Sequence, residues 1–109
     1  MTDIELPQAI RTFVDATNAG DSDRFVAAFA ADAHLNDWGR DFHGRDGIRE
    51  WDRTDNIGKR SHFEVVGAEP GETDDTYVVT LAVTGDGFNG TGPMRFTLRD
   101  GLIADVLIS

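Results

Sequence analysis

From Leu6 the apolar positions Ile10, Phe13 and Val14, with Thr17, recur at three- and four-residue steps, the stripe of an amphipathic helix. Pro7 suits its first turn, and Gly20 suits a stop just beyond Asn18. A capping box from Thr2 to Glu5 is the alternative start, but it would sink Pro7 into the helix interior. Asp21 is placed to cap a second helix whose buried side would be Phe25, Val26 and Phe29. A short strand is predicted over residues 33–38 and a loop over 39–43. A third helix follows from Arg45, marked by Ile48, Trp51 and Ile57 and ended by Gly58.

At Ser61 the period changes from helical to alternating. Phe63 and Val65 share one parity of a strand over 61–69, which a turn cluster over 70–75 closes. The next strand, 76–85, alternates Tyr77, Val79, Leu81 and Val83 against Val78, Thr80, Ala82 and Thr84. A glycine-rich loop over 85–92 leads to strands over 94–99 and 102–108, joined by the hairpin pair Asp100-Gly101. Helices followed by an antiparallel meander predict an α+β fold with the helices on one sheet face, in one domain spanning 1–109. The last strand is apolar on both parities. That predicts a second covering layer, a homodimer formed through the outer sheet face.

Composition narrows the partners. With 20 acidic against 10 basic residues, the net charge of −10 excludes a nucleic-acid footprint and adsorption to anionic membranes. The absence of cysteine removes disulfides, thiolate chemistry and Cys-ligated metals. The opening Met1-Thr2-Asp3-Ile4-Glu5 has neither the basic end nor the apolar core of a signal peptide, so the expected location is cytoplasmic. The three histidines lack metal-ligand spacing, and the glycines near Phe88 do not precede a helix. No metal and no cofactor is expected.

The run Asn18-Ala19-Gly20-Asp21, the segment Phe29-Ala30-Ala31-Asp32-Ala33, and Gly44-Arg45 followed by Gly47-Ile48-Arg49-Glu50-Trp51 resemble the SnoaL-like superfamily, which shares the fold of nuclear transport factor 2 and ketosteroid isomerase. The closing hairpin, with Phe96 and Asp100-Gly101-Leu102-Ile103, fits the same pattern. The resemblance implies a cone-shaped, curved antiparallel sheet wrapped around three N-terminal helices, with an apolar cavity open at one end. It also implies cofactor-free acid/base chemistry of isomerase, cyclase or hydrolase type on a small hydrophobic molecule. Some members are non-catalytic binding domains, and that is the alternative reading.

Carried onto this chain, the general-base carboxylate of ketosteroid isomerase falls on Asp37. Its oxyanion donors fall on Phe13 and Met94, which have no donor to offer. Losing even one such donor typically costs about 10²–10³ in rate, so isomerisation by that mechanism is not expected. His43 and Asp105 are the candidates for a second proton carrier. Epoxide hydrolases of this fold use an Asp–Arg–Asp arrangement to activate water, for which Asp37, Arg95 and Asp105 are the residues considered. Phe13, Trp38, Trp51, Phe63, Tyr77, Phe88 and Met94 are the candidate cavity walls, with Phe88 also the candidate lid. Strand parity sets His34 on the face opposite Asp37.

Overall fold

A computed structural model of the chain describes residues 5–109; the alternative capping box at Thr2 lies outside them. Helix α1 (Gln8–Ala19) follows Pro7, and Gly20 ends it at φ 71°, its N–H bonded to the carbonyls of Ala16 and Thr17. A left-handed residue at this position favours glycine, which has no Cβ to clash. Asp21 then caps α2 (Ser22–Ala27) by accepting from the Arg24 N–H. Phe29 is not on that helix. It opens β1 (Phe29–Asp37), because Ile103 N–H donates to the Ala28 carbonyl and draws the chain into the sheet.

The segment 39–43, expected as a loop, is strand β2 (Arg40–His43), antiparallel to β1. The two are joined by Trp38 and Gly39 at φ 51° and 90°, the left-handed pair of a two-residue hairpin. Helix α3 (Gly44–Asp55) starts at once and ends three residues before Gly58. A 3-10 turn (Ile57–Lys59) follows. Gly58 is required inside that turn, since a Cβ there would lie 1.6 Å from the Arg53 carbonyl oxygen.

Strands β3 (His62–Pro70), β4 (Thr76–Thr84), β5 (Gly90–Arg99) and β6 (Leu102–Ile108) complete one six-stranded sheet in the order β2-β1-β6-β5-β4-β3. The meander is antiparallel throughout, whereas β1 joins it parallel to β6. The inner face of the sheet meets the helices around an aromatic centre. Phe13 has ring centroids of Phe25 and Phe96 at 5.0 Å and of Phe63 at 5.5 Å.

Two motif residues stitch these layers together. The Asn18 amide accepts from the Phe63 N–H at 2.7 Å and donates to the Phe63 carbonyl at 2.9 Å, pairing the end of α1 with β3 as a strand neighbour would. Arg45 reaches the Phe29 carbonyl with Nε and Nη2 at 3.0 and 2.8 Å, holding α3 against the start of β1.

Candidate active site

The end of the sheet beyond α1 is left unfilled, and a cavity of about 460 Å³ opens there, within the size range of small-molecule sites. Its apolar walls are Trp51 from α3, Phe63 from β3, Leu81 and Val83 from β4, Met94 from β5 and Ile108 from β6. Trp38 and Phe88 stand at the rim. The polar groups are Asp37, Arg40, Asp55, Asn56, Lys59 and Ser61.

Asp37 ends β1 on the parity of the buried Ala33 and Leu35, so its carboxylate turns inward. The tight turn brings Arg40 directly opposite it. Arg40 Nη2 lies 2.7 Å from Asp37 Oδ2 and 2.7 Å from Asp55 Oδ2, bridging the two carboxylates. Trp51 Nε1 donates to the same Asp37 oxygen at 3.0 Å. The Asp37 side chain is 15% exposed and Arg40 55%, so the group grades from a sheltered carboxylate to a solvated cation. Hydrogen bonding to Asp55 raises the Arg40 pKa further, and its cation stays fixed between two anions.

Behind this group a buried polar network sets where α3 ends. Asn56 Nδ2 donates to Thr17 Oγ1 at 2.9 Å and to Asp52 Oδ1 at 3.2 Å, and Ser22 Oγ donates to Asp52 Oδ2 at 2.7 Å. Burial pushes the Asp52 pKa up, against the pull of these hydrogen bonds. Because Asn56 follows Asp55 directly, the network also positions the carboxylate that Arg40 reaches.

Four of the candidates from sequence lie elsewhere. Phe13 is fully buried at the aromatic centre, because α1 packs it against rings from five other elements. Tyr77 is half-buried near the opposite end of β4, paired with Phe96 and remote from the cavity lining. His43 and Asp105 are on the outer sheet face, on either side of His34. Asp105 Oδ1 is 3.0 Å from His34 Nδ1, Asp41 Oδ1 is 2.7 Å from His34 Nε2, and the His43 ring stacks on His34 at 4.8 Å. Hydrogen bonds to Asp41 and Asp105 raise the His34 pKa. Arg95 is exposed on that same face, paired with Leu107, so the Asp37–Arg95–Asp105 combination does not assemble. Asp37, Trp38, Trp51, Phe63, Phe88 and Met94 do line the cavity. Arg40, Asp55, Asn56 and Lys59 were not singled out from sequence; the spacing Asp37-Trp38-Gly39-Arg40 would have paired Arg40 with Asp37 had a two-residue hairpin been read there.

The fold has counterparts among solved structures. A Sinorhizobium meliloti protein described as a candidate polyketide cyclase is similar over 100% of both chains, at 26% identity and TM-score 0.86. The Δ5-3-ketosteroid isomerase of a Mycobacterium species shares 18% identity over 91% of this chain and 87% of its own, at TM-score 0.76. SalBIII, an epoxide hydrolase/cyclase-like enzyme of pyran ring formation in salinomycin, shares 22% identity over 92% and 85%, at TM-score 0.78. No curated protein sequence matches significantly. No helix among the described residues is long and apolar enough to cross a membrane. The family model of the SnoaL-like domain matches residues 10–106, and this chain belongs to that family.

Proposed function

We propose that this protein is a cofactor-free acid/base enzyme of the water-adding, ring-opening type, acting on a small hydrophobic molecule in the cavity. The observation that carries the reading is the Asp37–Arg40–Asp55 bridge beside an apolar cavity. It has the Asp–Arg–Asp composition that the resemblance to epoxide hydrolases implies, built from Arg40 and Asp55 in place of Arg95 and Asp105. Isomerisation by the ketosteroid isomerase mechanism is disfavoured, because Phe13 and Met94 provide no donors for an oxyanion.

In this reading Asp37 is the base. Both of its donors reach Oδ2, from Trp51 and Arg40, which fixes the carboxylate plane and leaves Oδ1 unclaimed by either. Asp37 takes a proton from water as the water oxygen bonds to an electrophilic ring carbon. The carbon–oxygen bond of the ring breaks toward its oxygen, and the anion formed there is held by Arg40 and takes a proton from solvent at the open rim. Asp37 then returns its proton to water. Asp55 keeps Arg40 in place and balances its charge. His43 and Asp105 have no part in this scheme.

The reading also includes a homodimer through the outer sheet face, where Leu107, Val78 and Ala82 are only half-buried.

The test is a panel of epoxides and lactones incubated with the protein in ¹⁸O-labelled water. Ring opening by water places one labelled oxygen in the product. Arg40→Met slows the reaction by about a hundredfold or more, the usual cost of a lost transition-state charge partner. An unlabelled, rearranged product would overturn the water-adding assignment, and no turnover across the panel would overturn the enzyme reading.

A further inference from the structure

The turn that brings Arg40 to Asp37 carries a side chain its backbone does not favour. Trp38 occupies the first left-handed position, at φ 51°. Asn, Asp or Gly adopts this conformation readily, whereas a bulky residue is strained there. The β5–β6 hairpin has the same pair of conformations with Asp100 at φ 55° and Gly101 at φ 80°. Packing within the chain does not compensate Trp38, which is 73% exposed.

Its surroundings suggest what does. Trp38 lines the cavity rim next to Asp37, and Phe88, 63% exposed, lines the same rim from the glycine-rich loop. The Phe88 ring lies over Gly90, where a Cβ would come within 2.8 Å of it. Among the described residues, the exposed large apolar side chains are these two rings and Val65 and Val66 on β3. Both exposed aromatics therefore frame the cavity mouth. Strain retained at a binding cleft, together with large apolar exposure, is the signature of a side chain whose partner is a ligand.

We propose that Trp38 is a specificity-determining wall whose indole face, with Phe88, selects flat unsaturated ring molecules over saturated ones of the same skeleton. A flat π system gains offset stacking on the indole, which a puckered ring lacks. The chain's net charge of −10 favours an uncharged ring over an anionic one. The proposal rests on reading the cavity as a small-molecule site, and it adds the shape of the molecule.

Coumarin and octahydrocoumarin share one lactone skeleton, the first flat and the second puckered. Calorimetric titration of both into the wild type, Trp38→Asn, Trp38→Phe and Phe88→Ala is accompanied by thermal unfolding of each. The wild type prefers coumarin about three- to tenfold. Trp38→Asn abolishes that preference by weakening coumarin alone, and its Tm rises by a few degrees as the turn relaxes. Trp38→Phe keeps part of the preference without the gain in Tm, and Phe88→Ala reduces it. The proposal is overturned if the wild type binds neither compound, or if the preference survives in Trp38→Asn. It is equally overturned if that variant changes self-association in sedimentation while coumarin affinity stays the same. Repeating the titrations in the Asp37→Asn background removes ring opening from the binding signal, so failure of Asp37 as a base and failure of Trp38 as a wall are separate results.

Discussion

Truncating Phe13 to alanine separates a packing role from a ligand-contact role. The ring is fully buried, with Phe25, Phe96, Phe63, Phe29 and Trp51 at centroid distances from 5.0 to 6.5 Å. Removing a buried phenylalanine ring costs about 3–5 kcal/mol. The upper half of that range is expected here, because the neighbours sit on separate elements tied by the sheet and cannot all close on the void. A domain of this size holds roughly 5–15 kcal/mol, so the variant still folds. At about 4 °C or more per kcal/mol, the Tm drops by at least about 15 °C. Circular dichroism melts give that figure, and a coumarin titration well below the melt gives the affinity of the folded form. The expected outcome is the full drop in Tm with affinity within about threefold of wild type. A drop under about 5 °C with a tenfold loss of affinity would refute this reasoning and make Phe13 a cavity wall.

Two groups whose pKa is raised by folding give pH dependences of the same sense in different pH ranges. The folded pKa of His34 is raised above 6.5 by Asp41 and Asp105, so its contribution is complete below 6.5 and is lost as pH rises through the folded value. Wild-type Tm therefore falls relative to His34→Gln as pH rises above 6.5, and parallel curves would contradict the pairing. The folded pKa of Asp52 is raised above 3.8, mainly by burial, so the penalty for its charge is absent below 3.8 and grows as pH rises through the folded value. Asp52→Asn accordingly gains on wild type as pH rises above 3.8, and a constant offset would contradict it. On the outer face, sedimentation at micromolar concentration gives a dimer that Leu107→Glu dissociates; a wild-type mass near 11.9 kDa would refute the interface.

The two hairpins show why some of this architecture was legible in the sequence and some was not. Asp100-Gly101 announces its turn because both residues tolerate positive φ, and the strands on either side were found. Trp38-Gly39 makes the same turn with tryptophan where Asn or Asp belongs, so residues 39–43 read as a loop and nothing in the sequence sets Arg40 opposite Asp37. Phe29 continues the helical spacing of Phe25 and Val26, and only a bond to Ile103, far along the chain, shows that it starts a strand. By strict alternation Asp105 would share a face with Ile103 and Leu107. A bulge opposite Thr97 and Leu98 changes the parity, leaving Ile103 inward and Asp105 and Leu107 outward. Asp37 was recognisable by its distance from the Asn18 motif. Its partner Asp55 depended on where α3 stops, which the buried Asn56–Asp52–Thr17 contacts decide.

The central claim is that the Asp37 carboxylate moves the proton. Asp37→Asn keeps the size of the side chain and an oxygen for the Trp51 N–H, so coumarin binding should persist. Turnover of whichever ring compound the wild type opens, compared at equal site occupancy, tests the claim most directly. The account predicts a loss of about a hundredfold or more; turnover within about threefold of wild type would contradict it.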